Sequence, residues 1–138
     1  MISILVVSHG ALAEGMLDAM QMITGPQDKV LALGLKETEA PEDLIDHIRE
    51  AADALDDGDG VLIMVDLYGA TPFNSSSRLF MESHHPIEVV TGVNLPMLVE
   101  IVMSREGLSL TDLLQQAYQA GMEGIKLLPD SIRKGKTL

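Results

Sequence analysis

Ile4-Leu5-Val6-Val7 is an unbroken apolar run of mostly β-branched residues, the pattern of a strand buried on both faces. It stops at Ser8-His9-Gly10, where the period changes. Leu12, Met16, Met20 and Ile23 fall near one face of a helix spanning Ala11 to Thr24. Thr24-Gly25-Pro26 ends that helix, because glycine suits the position just past a helix and proline cannot continue one. Val30 to Leu35 reads as a second strand. Glu37 to Glu42 is an acidic loop, and a helix opens at Pro41 with Glu42 and Asp43 in the first turn, where the helix dipole favours them. Leu44, Ile45, Ile48, Ala51, Ala52 and Leu55 form its apolar stripe. Asp56-Asp57-Gly58-Asp59-Gly60 then reads as a solvated turn.

Val61 to Val65 is the most continuous apolar run of the chain, the signature of a central strand, and it ends at Asp66. Phe73 to Glu82 reads as a helix with Pro72 at or near its first position, and Ile87 to Thr91 as a fourth strand. Asn94 and Ser109 are suited to cap helices over Leu95–Ser104 and Leu110–Met122. Ile125 to Leu128 reads as a short last strand, and Pro129 to Leu138, with Arg133, Lys134 and Lys136, as a loose basic tail. The alternation predicts an α/β fold: a doubly wound, mostly parallel sheet with helices on both faces. Right-handed crossovers leave a flavodoxin-like 2-1-3-4 strand order. Ligands in such sheets bind beyond the carboxyl ends of the strands where the winding reverses. Here that crevice lies between the ends carrying His9 and Asp66.

Composition narrows the chemistry. The 138 residues suit one domain with a real core, built from aliphatic side chains and nine methionines because aromatics are only 3%. A net charge of -12 argues against nucleic-acid binding, which needs cations to replace counterions along the backbone. The absence of cysteine excludes disulfides, thiolate metal sites and a cysteine nucleophile. No apolar run approaches a membrane span, and the first apolar stretch is too short for a signal peptide, so the expected location is the cytoplasm. No metal site is expected either. His84 and His85 are adjacent and point in different directions, and no carboxylate–histidine spacing joins them.

What remains is the switch point. Neighbouring strands lie about 4.8 Å apart, so side chains at adjacent strand ends readily meet. A carboxylate bonded to Nδ1–H fixes the imidazole tautomer, leaves Nε2 basic and stabilises positive charge on the ring. Phosphohistidine chemistry needs both properties. Gly69 and Ala70 are small enough to let a dianion approach the backbone, Thr71 adds a hydroxyl, and the next helix starts there with unpaired N–H groups. Each residue alone fits an ordinary strand-to-helix turn; it is their convergence that favours a site. A receiver domain with a phospho-accepting aspartate at Asp66 would need an acidic pair after the first strand to hold Mg²⁺, and Ser8-His9 stands there instead. A flavin site lacks aromatic residues to sandwich the ring.

Three segments carry a resemblance. Val6-Val7-Ser8-His9-Gly10, Val65-Asp66-Leu67-Tyr68-Gly69-Ala70-Thr71-Pro72-Phe73-Asn74-Ser75-Ser76-Ser77-Arg78 and Thr91-Gly92-Val93-Asn94-Leu95-Pro96-Met97-Leu98-Val99-Glu100 resemble the enzyme IIA component of the mannose-type bacterial phosphotransferase system. The resemblance runs from Met1 to about Leu128, which marks off residues 1–128 as the domain and 129–138 as the tail. It implies that His9 accepts phosphate from phospho-HPr and passes it to a histidine of the cognate IIB component, with Asp66 as its carboxylate partner and no cofactor. It further implies phosphoryl contacts at Gly10, Gly69, Ala70 and Thr71, and partner docking through Tyr68, Asn94, Leu95 and Pro96. Sugar choice would lie with the membrane components, IIC and IID. The last strand, Ile125–Leu128, would pair antiparallel on a second subunit's sheet in a homodimer. A chain that stops after its basic tail resembles the free-standing form rather than one fused to IIB. The phosphotransfer subunit of dihydroxyacetone kinase shares the N-terminal histidine segment but not Gly-Ala-Thr-Pro-Phe-Asn, and it is the alternative, with a non-enzymatic interaction module as the other class.

Overall fold

The computed structural model describes residues 1–136. In chain order the elements are β1 (Ser3–His9), α1 (Leu12–Thr24), β2 (Val30–Leu35), α2 (Pro41–Leu55), β3 (Val61–Val65), α3 (Thr71–Glu82), β4 (Ile87–Val90), α4 (Leu95–Ser104), α5 (Leu110–Glu123) and the single turn α6 (Asp130–Arg133). The four strands form one sheet in the order β2-β1-β3-β4, and every pairing is parallel. The register sets Val7 opposite Leu33 on one side and Val65 on the other, so His9 and Asp66 leave the sheet side by side.

The sheet is covered on both faces, and the two-residue period of the strands sorts the core. Ile4 and Val6 of β1, with Leu62 and Met64 of β3, pack against α1, α4 and α5. Leu5, Val7, Val61, Ile63 and Val65 face the other way, onto α2 and α3. All five β3 side chains have 0% exposure, which is why that run lacks any polar alternation. Truncating one of its larger members to alanine removes packing on a fully enclosed side, a change costing about 2–5 kcal/mol.

At the opposite end of the sheet from His9, Arg105 is buried and acts as a tie. Its guanidinium donates to the carbonyls of Ile2 (3.1 Å), Lys29 (3.3 Å) and Asp28, joining the start of β1 to the turn before β2.

Several expectations need correction. The stripe of α1 is rotated: Ala13 and Met20 are buried with Met16 and Leu17 packed beside them, whereas Leu12 and Ile23 are exposed. The helix lies across the sheet next to α4, so the residues reaching the core lie on a face turned from the one that spacing picked out. Helix α3 starts two residues early, at Thr71, with Pro72 inside its first turn. The acidic run after α2 is not wholly solvated, because the Asp56 carboxylate is buried and accepts the N–H groups of Gly58 and Gly60 at 2.9 Å each. Residues 125–128 form no strand in this chain; they leave α5 with Ile125, Leu127 and Leu128 exposed. No edge of the chain's own sheet pairs with them. The tail read as loose contains α6, closed by helical bonds back to Pro129 and Asp130.

Among the described residues no helix is long and apolar enough to cross a membrane, and no group of three or more metal-ligating side chains is gathered.

Candidate functional site

β1 delivers His9 at its last position, and the chain then turns through Gly10 at φ 53°, in the left-handed region that favours glycine. Two contacts hold this turn. The Gly10 N–H donates to the Leu35 carbonyl at 2.9 Å, and the buried Ser8 hydroxyl accepts the Ala13 N–H at 2.8 Å, serving the start of α1. That hydroxyl also donates to the His9 carbonyl at 3.0 Å.

Asp66 follows β3 and aims one carboxylate oxygen at His9 twice over. Its Oδ2 accepts the His9 backbone N–H at 2.9 Å and lies 2.8 Å from the ring Nδ1. An ionised carboxylate only accepts, so Nδ1 carries the proton and Nε2 keeps its lone pair. The ring is 49% exposed while Asp66 is 11% exposed, so the free nitrogen faces outward from a largely covered partner. Burial pushes the Asp66 carboxyl up, but the His9 N–H, the imidazole hydrogen bond and the ring's charge outweigh it and hold the group below its ordinary 3.8. Its other oxygen, Oδ1, is buried with no hydrogen-bond partner among the described residues.

Leu67 to Ala70 then turn into α3, with Gly69 at φ 81°. Ala70 stands at the cap position and Thr71 is the first helical residue. Pro72 has no N–H, so the Thr71 and Phe73 amides are the leading donors of this helix end. His9, Gly10 and Thr71 line one cavity of about 400 Å³ together with Leu35, Lys36, Glu37, Glu39 and Pro41. Gly69 and Ala70 lie in the turn behind it and are not among its lining residues. Tyr68 is 75% exposed and leans on Phe73, ring centroids 4.7 Å apart.

Asn94, Leu95 and Pro96 are not brought to this cavity. Asn94 caps α4 by accepting the Met97 N–H at 2.9 Å and donates to the Gly121 carbonyl at 3.0 Å, a structural task. Pro96 lines a different cavity, with Glu100, Gln116 and Lys126. Conversely, sequence reasoning missed the loop after β2 and the cap at Ser8. The one available signal for the loop was position, since charged residues just beyond a strand beside β1 must reach the same crevice.

The family described as "EIIA-man: PTS system fructose IIA component" matches residues 3–118. The chain belongs to that family. It is therefore a component of the EIIA type in a sugar phosphotransferase system. It is 38% identical over 128 residues to the "PTS system mannose-specific EIIAB component" of Escherichia coli, covering 92% of this chain and 39% of that protein. The chain thus spans well under half of these mannose-specific relatives. Against the "PTS system fructose-specific EIIA component" of Bacillus subtilis it is 28% identical, with 99% and 93% of the two chains covered. Among solved structures, the phosphotransferase component EIIA of Streptococcus agalactiae superposes with a TM-score of 0.86 at 32% identity, over 92% of this chain and 97% of that one.

Proposed function

We propose that this EIIA-type chain relays phosphate through His9, taking it from phospho-HPr and giving it to a histidine of a IIB component, to drive sugar uptake through IIC and IID membrane components. The observation that carries the reading is the pairing of His9 Nδ1 with Asp66 at 2.8 Å beside a half-exposed ring. In the forward step the lone pair of His9 Nε2 attacks phosphorus, the P–N bond to the donor histidine breaks, and that ring, already protonated on its other nitrogen, leaves as a neutral imidazole. His9 keeps its Nδ1 proton throughout, and Asp66 stabilises the charge that develops on the ring. The amides and hydroxyl at Thr71 support the phosphoryl oxygens. Transfer to IIB is the same exchange with His9 as the leaving ring.

The test is direct. Phospho-HPr should add one phosphoryl group to the native chain and none to His9→Ala, read by intact mass. Full labelling of His9→Ala sinks the assignment.

The same reading includes a homodimer in which residues 125–128 pair antiparallel on the partner's sheet. The exposed side chains of Ile125, Leu127 and Leu128 and the open edge of β4 support it. Residues 1–128 are then the working unit, and 129–138 lie outside it.

A further inference from the structure

We propose that Lys36 is a phosphoryl-binding residue, its ammonium contacting the oxygens of the group carried on His9; this rests on the phosphoryl reading above. Lys36 is the only lysine or arginine among the residues that line the cavity with His9, Gly10 and Thr71. It makes no ion pair among the described residues, whereas Lys29, Arg49 and Arg78 are each paired with a carboxylate.

Its position is set by the site itself. The Leu35 carbonyl immediately before it accepts the Gly10 N–H at 2.9 Å. At Gly34 the strand closes on the turn: a Cβ there would stand 2.0 Å from the Gly10 carbonyl oxygen. β2 therefore runs against the His9–Gly10 turn with no room between them, and Lys36 stands two residues past that contact. Its own carbonyl accepts the Glu39 N–H at 3.0 Å, so the loop curls over the cavity instead of leaving it.

Charge supplies the need. A phosphoryl group on His9 brings about two negative charges beside the ionised Asp66. Glu37 and Glu39 line the same cavity, and the chain as a whole carries a net charge of -12. Glu39 is occupied by His47, 3.3 Å away, which leaves Glu37 and the arriving phosphoryl group as the anions of this cavity without such a partner. The end of α3 contributes only about half a unit of positive charge. A full cation at the rim, placed where the oxygens pass, lowers the cost of bringing that dianion in and of moving it in transit.

The experiment uses phosphoramidate, a small donor that needs no protein surface. In the step, Nε2 attacks phosphorus, the P–N bond of zwitterionic phosphoramidate breaks, and ammonia leaves. Labelling of the native chain is compared with Lys36→Gln, Lys36→Arg and, as a remote charge control, Lys134→Gln. Lys36→Gln should label about tenfold more slowly, Lys36→Arg within about twofold of native, and Lys134→Gln at the native rate. The shift that inorganic phosphate induces in the His9 ring resonances should weaken in Lys36→Gln as well. Equal labelling of native and Lys36→Gln overturns the assignment and leaves His9 untouched. Equal slowing in Lys134→Gln overturns it too, as a net-charge effect. A native chain that phosphoramidate does not label at His9 overturns the phosphoryl reading itself, and this inference with it.

Discussion

The Asp66 Oδ2 does two jobs with one oxygen: by accepting the His9 N–H it locks the backbone, and by accepting Nδ1–H it locks the ring. Asp66→Asn separates charge from shape. The amide keeps the volume but cannot balance a cationic ring, and it can present its NH₂ to Nδ1 and select the wrong tautomer. Transfer from phospho-HPr should fall by on the order of a hundredfold with little change in thermal stability; unchanged rates in both directions would show that the carboxylate is not the partner. A second histidine pair is structural. His85 sets Nδ1 2.7 Å from Asp56 and Nε2 2.7 Å from Asp53, so only the doubly protonated ring satisfies both acids. The Asp56 hydrogen bond leads the causes that raise His85 above its ordinary 6.5. A raised pKa means that the stabilisation is complete below about 6.5 and fades as pH climbs through the folded value. Asp56, held below its ordinary 3.8, adds stability that is lost as pH falls through its own folded value. The melting-temperature gap between native protein and His85→Gln should therefore be widest near pH 5 to 6 and shrink toward pH 9; a gap independent of pH would remove the charge argument.

At the scale of elements, α1 depends on a residue that precedes it by several positions. Ala11 at the cap position offers no side-chain bond, and the Ser8 hydroxyl reaches forward to Ala13 instead. Ser8→Ala leaves the buried Ala13 N–H and the His9 carbonyl short of a partner, at a cost of about 1–3 kcal/mol in urea unfolding, and it loosens the turn that aims His9. A loss under about 0.5 kcal/mol would place the helix start elsewhere. Much of this was legible in the chain. β2, α2, β3 and α4 occupy the residues their patterns predicted, because each has an uninterrupted period and clear stop signals. His9 and Asp66 were legible because each stands just past an unbroken apolar run, Ile4–Val7 and Val61–Val65. The Ser8 cap was hidden by its reach, and the face of α1 by helix–helix packing, which a single-helix period does not encode. Lys36 was hidden because what makes it matter is a close approach to Gly10 from a different strand.

For the whole molecule, the unresolved tension is an apolar segment with nothing to cover it. Leu127 is 86% and Ile125 78% exposed, while β4 offers an unpaired edge. If residues 125–128 pair on a partner, removing everything from Gly124 onward should yield an unstable or aggregating chain. Removing only residues 129–138 should leave a dimer by sedimentation at micromolar concentration. A full-length chain that sediments as a well-folded monomer rules the exchange out, while His9 labelling can survive that result. The sheet order carries one more consequence, for the moment of synthesis. Of the four strands in this sheet β1 leaves the ribosome before the other three, yet it is flanked on both sides in the finished sheet, and its β3 neighbour pairs Ile4 with Leu62. Until that later strand emerges, β1 has only β2 beside it and an open hydrophobic flank. A nascent chain paused before Val61 thus exposes the centre of its own future core, the stage at which chaperone capture or misassociation is most to be expected.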